Sequence, residues 1–488
     1  MPAMKMLAFD FGASSGRAIL GEIKDGKLIL QEVHRFSNDP VQLKNHLQWD
    51  FLRLIHEVKQ CLVKCKNAGE EIVSIGVDTW GVDYGLLDVE GELMGNPFHY
   101  RDARTEPMLD YCFKFISKEA LIQQSGIDCL PYNTIYQLLA ETYKKDGIFD
   151  KAHQMLLMPD LFNYILTGQK KSEYTIATTT QLYDYEKSDW NYELIRKLQL
   201  PERLFAPIIY PSEIVGELTP EIRAELDLKP CKIIAVGSHD TASAIAAVPA
   251  QTDEFIYIAT GTWVMVGVEV ETLTVNEVIK AYGISNEGSV SGRVNLLRNI
   301  MGLWLFQECR RQWKKEGMEI SFAEMTEEGL KNQVSCVINP DDSTFYAPGN
   351  MPEKIRSFCL RTNQQVPESI GEIVRVIAEG LALRIRHTVE GLERATGKTY
   401  DVIHMFGGGI QDQLFCQTVA DFTGKKVIAG PKEATAMGNI LLQAIGLGHV
   451  KDIHEARAII RASVEITAYE PDVIEDLADK VQKFLSIL

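Results

Sequence analysis

Five short segments of this 488-residue chain carry side chains whose types and spacing can do chemistry. The first is Asp10-Phe11-Gly12-Ala13-Ser14-Ser15-Gly16-Arg17, in which two glycines and two serines separate apolar runs. Such a turn can aim several backbone N–H groups at one anion. Asp10 closes an apolar run, a poor place for a surface charge, and a carboxylate there can hold Mg2+ through water beside a phosphate. Thr260-Gly261-Thr262-Trp263 repeats the pattern of hydroxyls around a glycine. Gly407-Gly408-Gly409-Ile410-Gln411-Asp412 bares the backbone to a flat ligand or a phosphate. Its spacing lacks the last glycine of the dinucleotide fingerprint and no partner acid follows, which argues against NAD.

The fourth segment, His239-Asp240-Thr241, falls at a strand–helix junction. An aspartate there is ordinarily an N-cap. As a general base it would face the helix N-terminus, which favours the ionised form. That form accepts a proton from a hydroxyl during phosphoryl transfer, worth ~10²–10⁴ in rate. The fifth, Asp78-Thr79-Trp80-Gly81-Val82-Asp83-Tyr84-Gly85 with Tyr100-Arg101-Asp102 downstream, offers a flat apolar face, carboxylates, a guanidinium and bare glycines. Sugar pockets use these groups. Taken singly, each segment also fits a plain turn, cap or buried hairpin. Gly391 to Thr399 looks like a P-loop but has five residues between its glycines and follows a helix, so Gly397 reads as a helix stop.

The elements that must position these groups show in the hydropathy pattern. Residues 5–36 alternate β-prone runs with glycine-containing turns, an antiparallel meander. Apolar residues at 51, 54, 55, 58 and 62 mark one helical face. Residues 72–94 read as strand, turn and strand again, and 105–230 as mostly helical. A buried strand at 232–236 runs into a helix starting near Asp240. Residues 255–270 repeat the opening hairpin in plan, and a long amphipathic helix at 369–394 leads to a strand, the triple glycine and another helix. Two similar α/β domains with a cleft between them are predicted, divided near residue 246.

Composition bounds the partners. With 50 Lys plus Arg against 67 Asp plus Glu, the net charge is −17. That balance excludes wrapping a nucleic-acid backbone and sitting on an anionic membrane. Any phosphate site must be local. No stretch approaches the ~20 apolar residues of a membrane span. Nine scattered cysteines without a C-x-x-C pair read as reduced, buried thiols, and no histidine cluster suggests a metal centre. A cytoplasmic protein is expected.

The order of the motifs is more specific than any one of them. Asp-x-Gly-x-Ser-Ser-Gly-Arg at 10, Asp-Thr-Trp-Gly-Val-Asp at 78, Ser-His-Asp-Thr-Ala-Ser-Ala at 238, Thr-Gly-Thr-Trp at 260 and Gly-Gly-Gly at 407 resemble the FGGY carbohydrate kinase family. The resemblance runs over nearly the whole chain, through Tyr100-Arg101-Asp102-x-Arg104, Leu157-Met-Pro-Asp160, Ala177-Thr-Thr-Thr-Gln-Leu182, Asn299-Ile-Met-Gly-Leu-Trp-Leu-Phe-Gln307 and Val427-Ile-Ala-Gly-Pro431. It implies an α/β fold of two actin-like, ribonuclease H-type domains with an interdomain cleft. Residues 1–246 would carry the sugar and the first phosphate loop, and 247–488 the nucleotide.

By the same resemblance, Ala13, Ser14, Ser15, Gly16 and Arg17 form the first phosphate loop and Thr262 lies in the second. Gly408 lies in the nucleotide loop and Gln307 touches ATP. Asp240 is the catalytic base, with His239 and Thr241 beside it in the substrate pocket. Gly81 and Asn299 contact substrate, and Asp10 positions Mg2+. The activity implied is transfer of the ATP γ-phosphoryl group to the 1-hydroxyl of L-rhamnulose by a monomer or homodimer. Another ketose such as L-fuculose or xylulose is the alternative, then an actin- or chaperone-like ATPase. A dead sugar sensor is disfavoured because Asp10 and Asp240 are both present. Two positions depart from the pattern: no lysine follows Pro159 shortly, and Asp412 stands where the resemblance implies Asn, near the expected nucleotide.

Overall fold

The computed structural model describes residues 4–145 and 147–488. The first half is built on a six-stranded sheet of β1 (Lys5–Phe11), β2 (Ser15–Lys24), β3 (Lys27–Ser37), β4 (Ile72–Thr79), β5 (Ile214–Glu217) and β6 (Lys232–Ile234), in the order β5-β6-β4-β1-β2-β3. β1, β2 and β3 form the expected antiparallel meander, and β4 and β6 then add in parallel to β1. Helix α1 (Phe51–Asn67) starts where the Asp50 side chain accepts from the Arg53 N–H. It buries Phe51, Leu54, Val58, Cys61, Leu62 and Cys65, the face its periodicity marks.

The second half repeats the plan on seven strands. These are β7 (Ile256–Thr260), β8 (Trp263–Val270), β9 (Ser285–Gly288), β10 (Val294–Met301), β11 (Val402–Gly407), β12 (Lys426–Ala429) and β13 (Thr467–Tyr469), in the order β9-β10-β8-β7-β11-β12-β13. Again an antiparallel hairpin, β7–β8, is extended by a parallel strand, β11, on the other side of its first member. Three helices matter for the site: α2 (Tyr174–Thr178) and α3 (Asp240–Ala246) in the first half, and α4 (Trp304–Lys315) after β10. Helix α5 (Ile370–Thr396) opens on a capping box between Ser369 and Glu372 and stops at Gly397, the stop its sequence predicts. Helices α6 (Gln413–Thr423) and α7 (Ala434–Gly446) follow.

Two expectations fail locally. Residues 84–87 do not fold back on β4; they leave the sheet and pair with Gln154–Leu157. The chain turns away at Val82, whose φ of 70° is a left-handed conformation, and Asp83 is held by groups outside the segment. The stretch read as mostly helical also contains several two- to four-residue strands, too short to show a period of two in sequence.

Each sheet has its own apolar core, and a third core joins them, in which Met6 and Ala8 of β1 meet Tyr257, Phe406, Ile440 and Leu441. Its centre is the crossing of α3 and α7. A Cβ at Gly438 would lie 1.7 Å from the Ser243 carbonyl oxygen, so only glycine lets the two backbones approach. All nine cysteines are buried and free. Among the described residues, no helix is long and apolar enough to cross a membrane. Replacing Gly438 with alanine must push the helices apart. The expected cost is about 2 kcal/mol or more, read as a lower urea midpoint, and a parental midpoint would contradict the crossing.

Candidate active site

Parallel pairing of β1 with β4 sets Asp10 opposite Asp78. The next contact along that edge is a bridge between Thr79 and His239, with the Thr79 N–H donating to the Ser238 carbonyl at 2.9 Å. Asp10, Asp78 and Asp240 thus share the end of the sheet where parallel strands usually bind ligands. Arg17 answers this charge from β2, donating from Nε and Nη2 to Asp10 Oδ2 at 2.9 and 2.8 Å. Its Nη1 pairs with Glu433, the residue capping α7. Arg17 is therefore a clasp between the halves.

Asp78 is fully buried. Its Oδ2 accepts from Asn439 Nδ2 at 2.5 Å, while Oδ1 has no partner. Burial, then the charge of Asp10, pushes its carboxyl well above the usual range, and the Asn439 amide pulls it back. Asn439 is held in turn by Gln443, which also accepts from Ser74 on β4.

Asp240 is the first residue of α3, and His239 is its cap. The helix start does not keep this carboxyl at its ordinary value. Burial raises it, Asp10 adds to the shift, and the His239 charge and the Thr241 donors pull it back. Thr241 Oγ1 donates to Asp240 Oδ1 at 3.1 Å. His239 lies with Nε2 3.7 Å from Asp240 Oδ1 and Nδ1 3.2 Å from Glu287 Oε2 of β9. Burial opposes the imidazolium, but Glu287, Asp240 and Glu173 outweigh it and hold the ring at about 9. The loop itself is pinned: Ser238 N–H donates to Glu173, and His239 N–H to Thr175 Oγ1 at 3.1 Å.

Gly81 lines the same space, since a Cβ there would sit 3.5 Å from Thr179 and 3.6 Å from His239 Nε2. The carboxylates of the segment read as a sugar pocket are engaged within the protein, whereas Arg101 is exposed and Tyr100 half-buried. Asp83 is buried, accepting from the Trp49 and Trp80 indoles at 2.7 and 2.9 Å, from Gln137 at 2.8 Å and from the Tyr100 N–H at 3.2 Å. Burial still lifts its carboxyl to about 6. Asp102 is buried too, fixing the Leu47 and Arg104 N–H groups. These carboxylates build the wall behind the pocket.

The remaining predicted residues fall in the two hairpin turns, in the triple glycine, on β10 and on α4. Ala13 to Gly16 form the β1–β2 turn, closed by the Gly12 N–H on the Ser15 carbonyl and fastened by Asn38 to Gly12 and Ser14. Ser14 is exposed, whereas Gly16 packs so tightly on Phe36 that a Cβ would lie 2.3 Å from the ring. Thr262 is exposed in the β7–β8 turn, and its carbonyl accepts the Gly302 N–H ahead of α4, the helix that carries the half-buried Gln307. The triple glycine is tied to the same turn: Thr260 Oγ1 donates to the Phe406 carbonyl at 2.6 Å and accepts from Gly409 N–H at 3.0 Å. Gly407 has a φ of 91°, which favours glycine, and a Cβ on Gly408 would meet open space. Asn299 is exposed on β10 opposite Met265. Among the described residues, no hydrogen bond or ion pair ties Thr262, Gln307, Gly408 or Asn299 to the Asp240 group. Asp412 has a structural reason, capping α6 by accepting the Phe415 N–H at 3.2 Å.

Among the described residues, no three His, Cys, Asp or Glu side chains converge on a cation cage. That suits Mg2+ shared with nucleotide phosphates, which needs only one or two protein carboxylates. Asp10 fits the need, being nearly buried at the end of β1 beside the glycine turn, with Asp78 opposite it on β4. Sequence reasoning singled out Asp78 only as one carboxylate of the sugar-pocket segment, and it missed Asn439, Glu173 and Glu287, which no motif marks.

Two halves of repeated plan, each opening on an antiparallel hairpin around a glycine turn that a parallel strand extends, define an actin-like α/β fold. The chain belongs to the FGGY family of carbohydrate kinases: the family's N-terminal domain matches residues 5–247 and its C-terminal domain residues 256–447. It is an ATP-dependent sugar kinase. The chain is 38% identical over 465 residues to a rhamnulokinase of Bacteroides thetaiotaomicron, covering 95% of both chains. It is also 38% identical over 478 residues to a rhamnulokinase of Bacillus subtilis, covering 98% of this chain and 97% of the other. A gluconate kinase and a ligand-bound xylulose kinase of Lactobacillus acidophilus each share its fold with a TM-score of 0.83, at 15% and 16% identity. Each aligns over 99% of this chain and 97% of its own.

Asp83→Ala takes the acceptor from the Trp49 and Trp80 indoles and the Tyr100 N–H, while Gln137 keeps the Val82 and Tyr132 carbonyls, and the expected loss is several kcal/mol at about 1–3 kcal/mol per group. Asp83→Asn is milder and isolates the proton. Because Asp83 titrates at about 6, above its ordinary 3.8, the folded protein binds more protons than the unfolded chain between those values. Stability of the parent relative to Asp83→Asn therefore falls as pH rises through that window. Urea midpoints across it check the sign.

Proposed function

We propose that the protein transfers the γ-phosphoryl group of ATP to the 1-hydroxyl of L-rhamnulose, with Asp240 as general base. What carries the reading is Asp240 standing beside His239 and Gly81 on the strand edge that also holds Asp10 and Arg17. The rhamnulokinases that align over 95% or more of the chain supply the sugar. Residues 1–246 act as the sugar domain with the first phosphate loop, and 247–488 as the nucleotide domain.

The sugar lies in the space left by Gly81, against Thr179 and Thr241, with Asn299 reaching it from the second half. The backbone of Ala13 to Gly16 and the Thr262 turn face the phosphates, while Gln307 and Gly408 receive the nucleotide. Arg17 exchanges Glu433 for a phosphate oxygen and so couples nucleotide arrival to the domain seam. Asp240 takes the proton of the 1-hydroxyl as that oxygen bonds to the γ-phosphorus and the bond to the ADP oxygen breaks. Its raised affinity for a proton moves it toward the working pH, where a general base is most effective. Asp10 would hold Mg2+, which when bound neutralises the phosphate oxygens.

ADP release over a panel of ketoses, with the product located by NMR, tests the reading. L-rhamnulose should give kcat/KM at least about tenfold above L-fuculose and D-xylulose, with phosphate on O1. Asp240→Asn should lower kcat by ~10²–10⁴ without lowering the thermal midpoint. Steady ADP release with no acceptor dependence would assign an ATPase instead.

A further inference from the structure

A carboxylate of the second half reaches the sugar side of the site. Glu287 is largely buried, with its Oε2 3.2 Å from His239 Nδ1, an ion pair without hydrogen-bond alignment that leaves this oxygen no hydrogen-bond partner among the described residues. Its strand, β9, is fastened to the first half. The backbone N–H and side-chain amide of Asn286 donate to the Gly126 carbonyl at 2.9 and 3.0 Å, and the Gly288 N–H donates to Thr178 Oγ1 at 2.7 Å. A Cβ at Gly288 would lie 2.9 Å from both Thr178 and Tyr174, so β9 lies directly on α2. The same helix holds the other end of the pair, because Thr175 Oγ1 accepts the His239 N–H. Glu287 and His239 are thus registered against one short helix from two sides.

The ring orientation follows. With Nδ1 turned to Glu287, Nε2 faces Asp240 and the opening left by Gly81. A nitrogen there that carries a proton can only donate, and Asp240 as a carboxylate can only accept. Side by side they sort the oxygens of a bound ketose: a carbonyl or ether oxygen goes to His239, and the hydroxyl that will lose its proton goes to Asp240.

We propose that Glu287 is a positioning residue for the phosphoryl acceptor, holding His239 so that its Nε2–H donates to the sugar and the reacting hydroxyl is left to Asp240. This rests on Asp240 and His239 forming the acceptor site. The groups facing His239 are Glu287 from β9, Asp240 from α3 and Glu173 ahead of α2. Those facing Glu287 besides His239 are Tyr132, Tyr185 and Tyr257, phenols that burial keeps neutral. Glu287→Gln keeps the shape and an acceptor but removes the charge that sustains the imidazolium up to about 9.

The full-length Glu287→Gln protein is compared with the parent over a pH series. The expected result is a rise of about tenfold or more in KM for L-rhamnulose, KM for ATP within about twofold, and an alkaline limb of kcat/KM for the sugar moved down by about one unit or more. An unmoved limb, or equal losses for sugar and ATP, overturns the proposal. NMR of histidine-labelled, ligand-free parent, with the His239 signal assigned from His239→Gln, gives a second reading that needs neither the variant's folding nor any sugar. His239 should remain charged at about pH 8, and a neutral ring there overturns the proposal. If no ketose is phosphorylated while His239 stays charged, the acceptor assignment fails and the Glu287–His239 pair remains.

Discussion

The crossing of α3 and α7 at Gly438 is the contact on which the rest of the molecule depends. It puts the Ser243 carbonyl where a side chain would otherwise stand, and so brings the two halves together through backbone. The consequences run along α7 in both directions. Glu433, capping it, takes Arg17; Asn439 takes Asp78; Ile440 fills the face of β2 that Gly21 leaves bare; Gln443 takes Ser74 and the Leu7 carbonyl. On the other helix, Asp240 is the first residue of a short rod whose body is fixed by the crossing. One helix of the second half thereby sets the floor of the site in the first.

The electrostatics of that floor are arranged against an acidic background. Three aspartates at one strand edge would repel if all were ionised. Asp78, buried deepest, has its carboxyl pushed well above the usual range, Asp10 is matched by Arg17, and Asp240 lies beside an imidazolium. The net charge of −17 does not bear on this balance, which is struck within a few ångströms of the reacting groups. A nucleotide needs local donors and a cation, not a basic protein.

What could be read from the sequence was local. The two hairpins, the α1 face and the Gly397 stop all depend on residues a few positions apart, and each is found where the pattern puts it. The site was legible as far as its turns and the junction at Asp240. Asp83 was misread because its donors come from Trp49, Gln137 and Tyr100, which no spacing rule connects. Asp78 with Asn439, and His239 with Glu287, are contacts between halves and leave no trace in either segment alone. The proton affinity of Asp240 was hidden for a related reason: desolvation belongs to the packed fold, not to the start of a helix.

The nine cysteines, all free and all buried, are spread over both halves from Cys61 to Cys416. A thiol that solvent cannot reach meets neither oxidant nor alkylating reagent while the structure holds. Each becomes reactive only when its own region opens, whether by local fluctuation or by unfolding of a whole half. The chain therefore carries an internal map of its own cooperativity, in which the order of modification of the thiols ranks the segments by how readily they come apart.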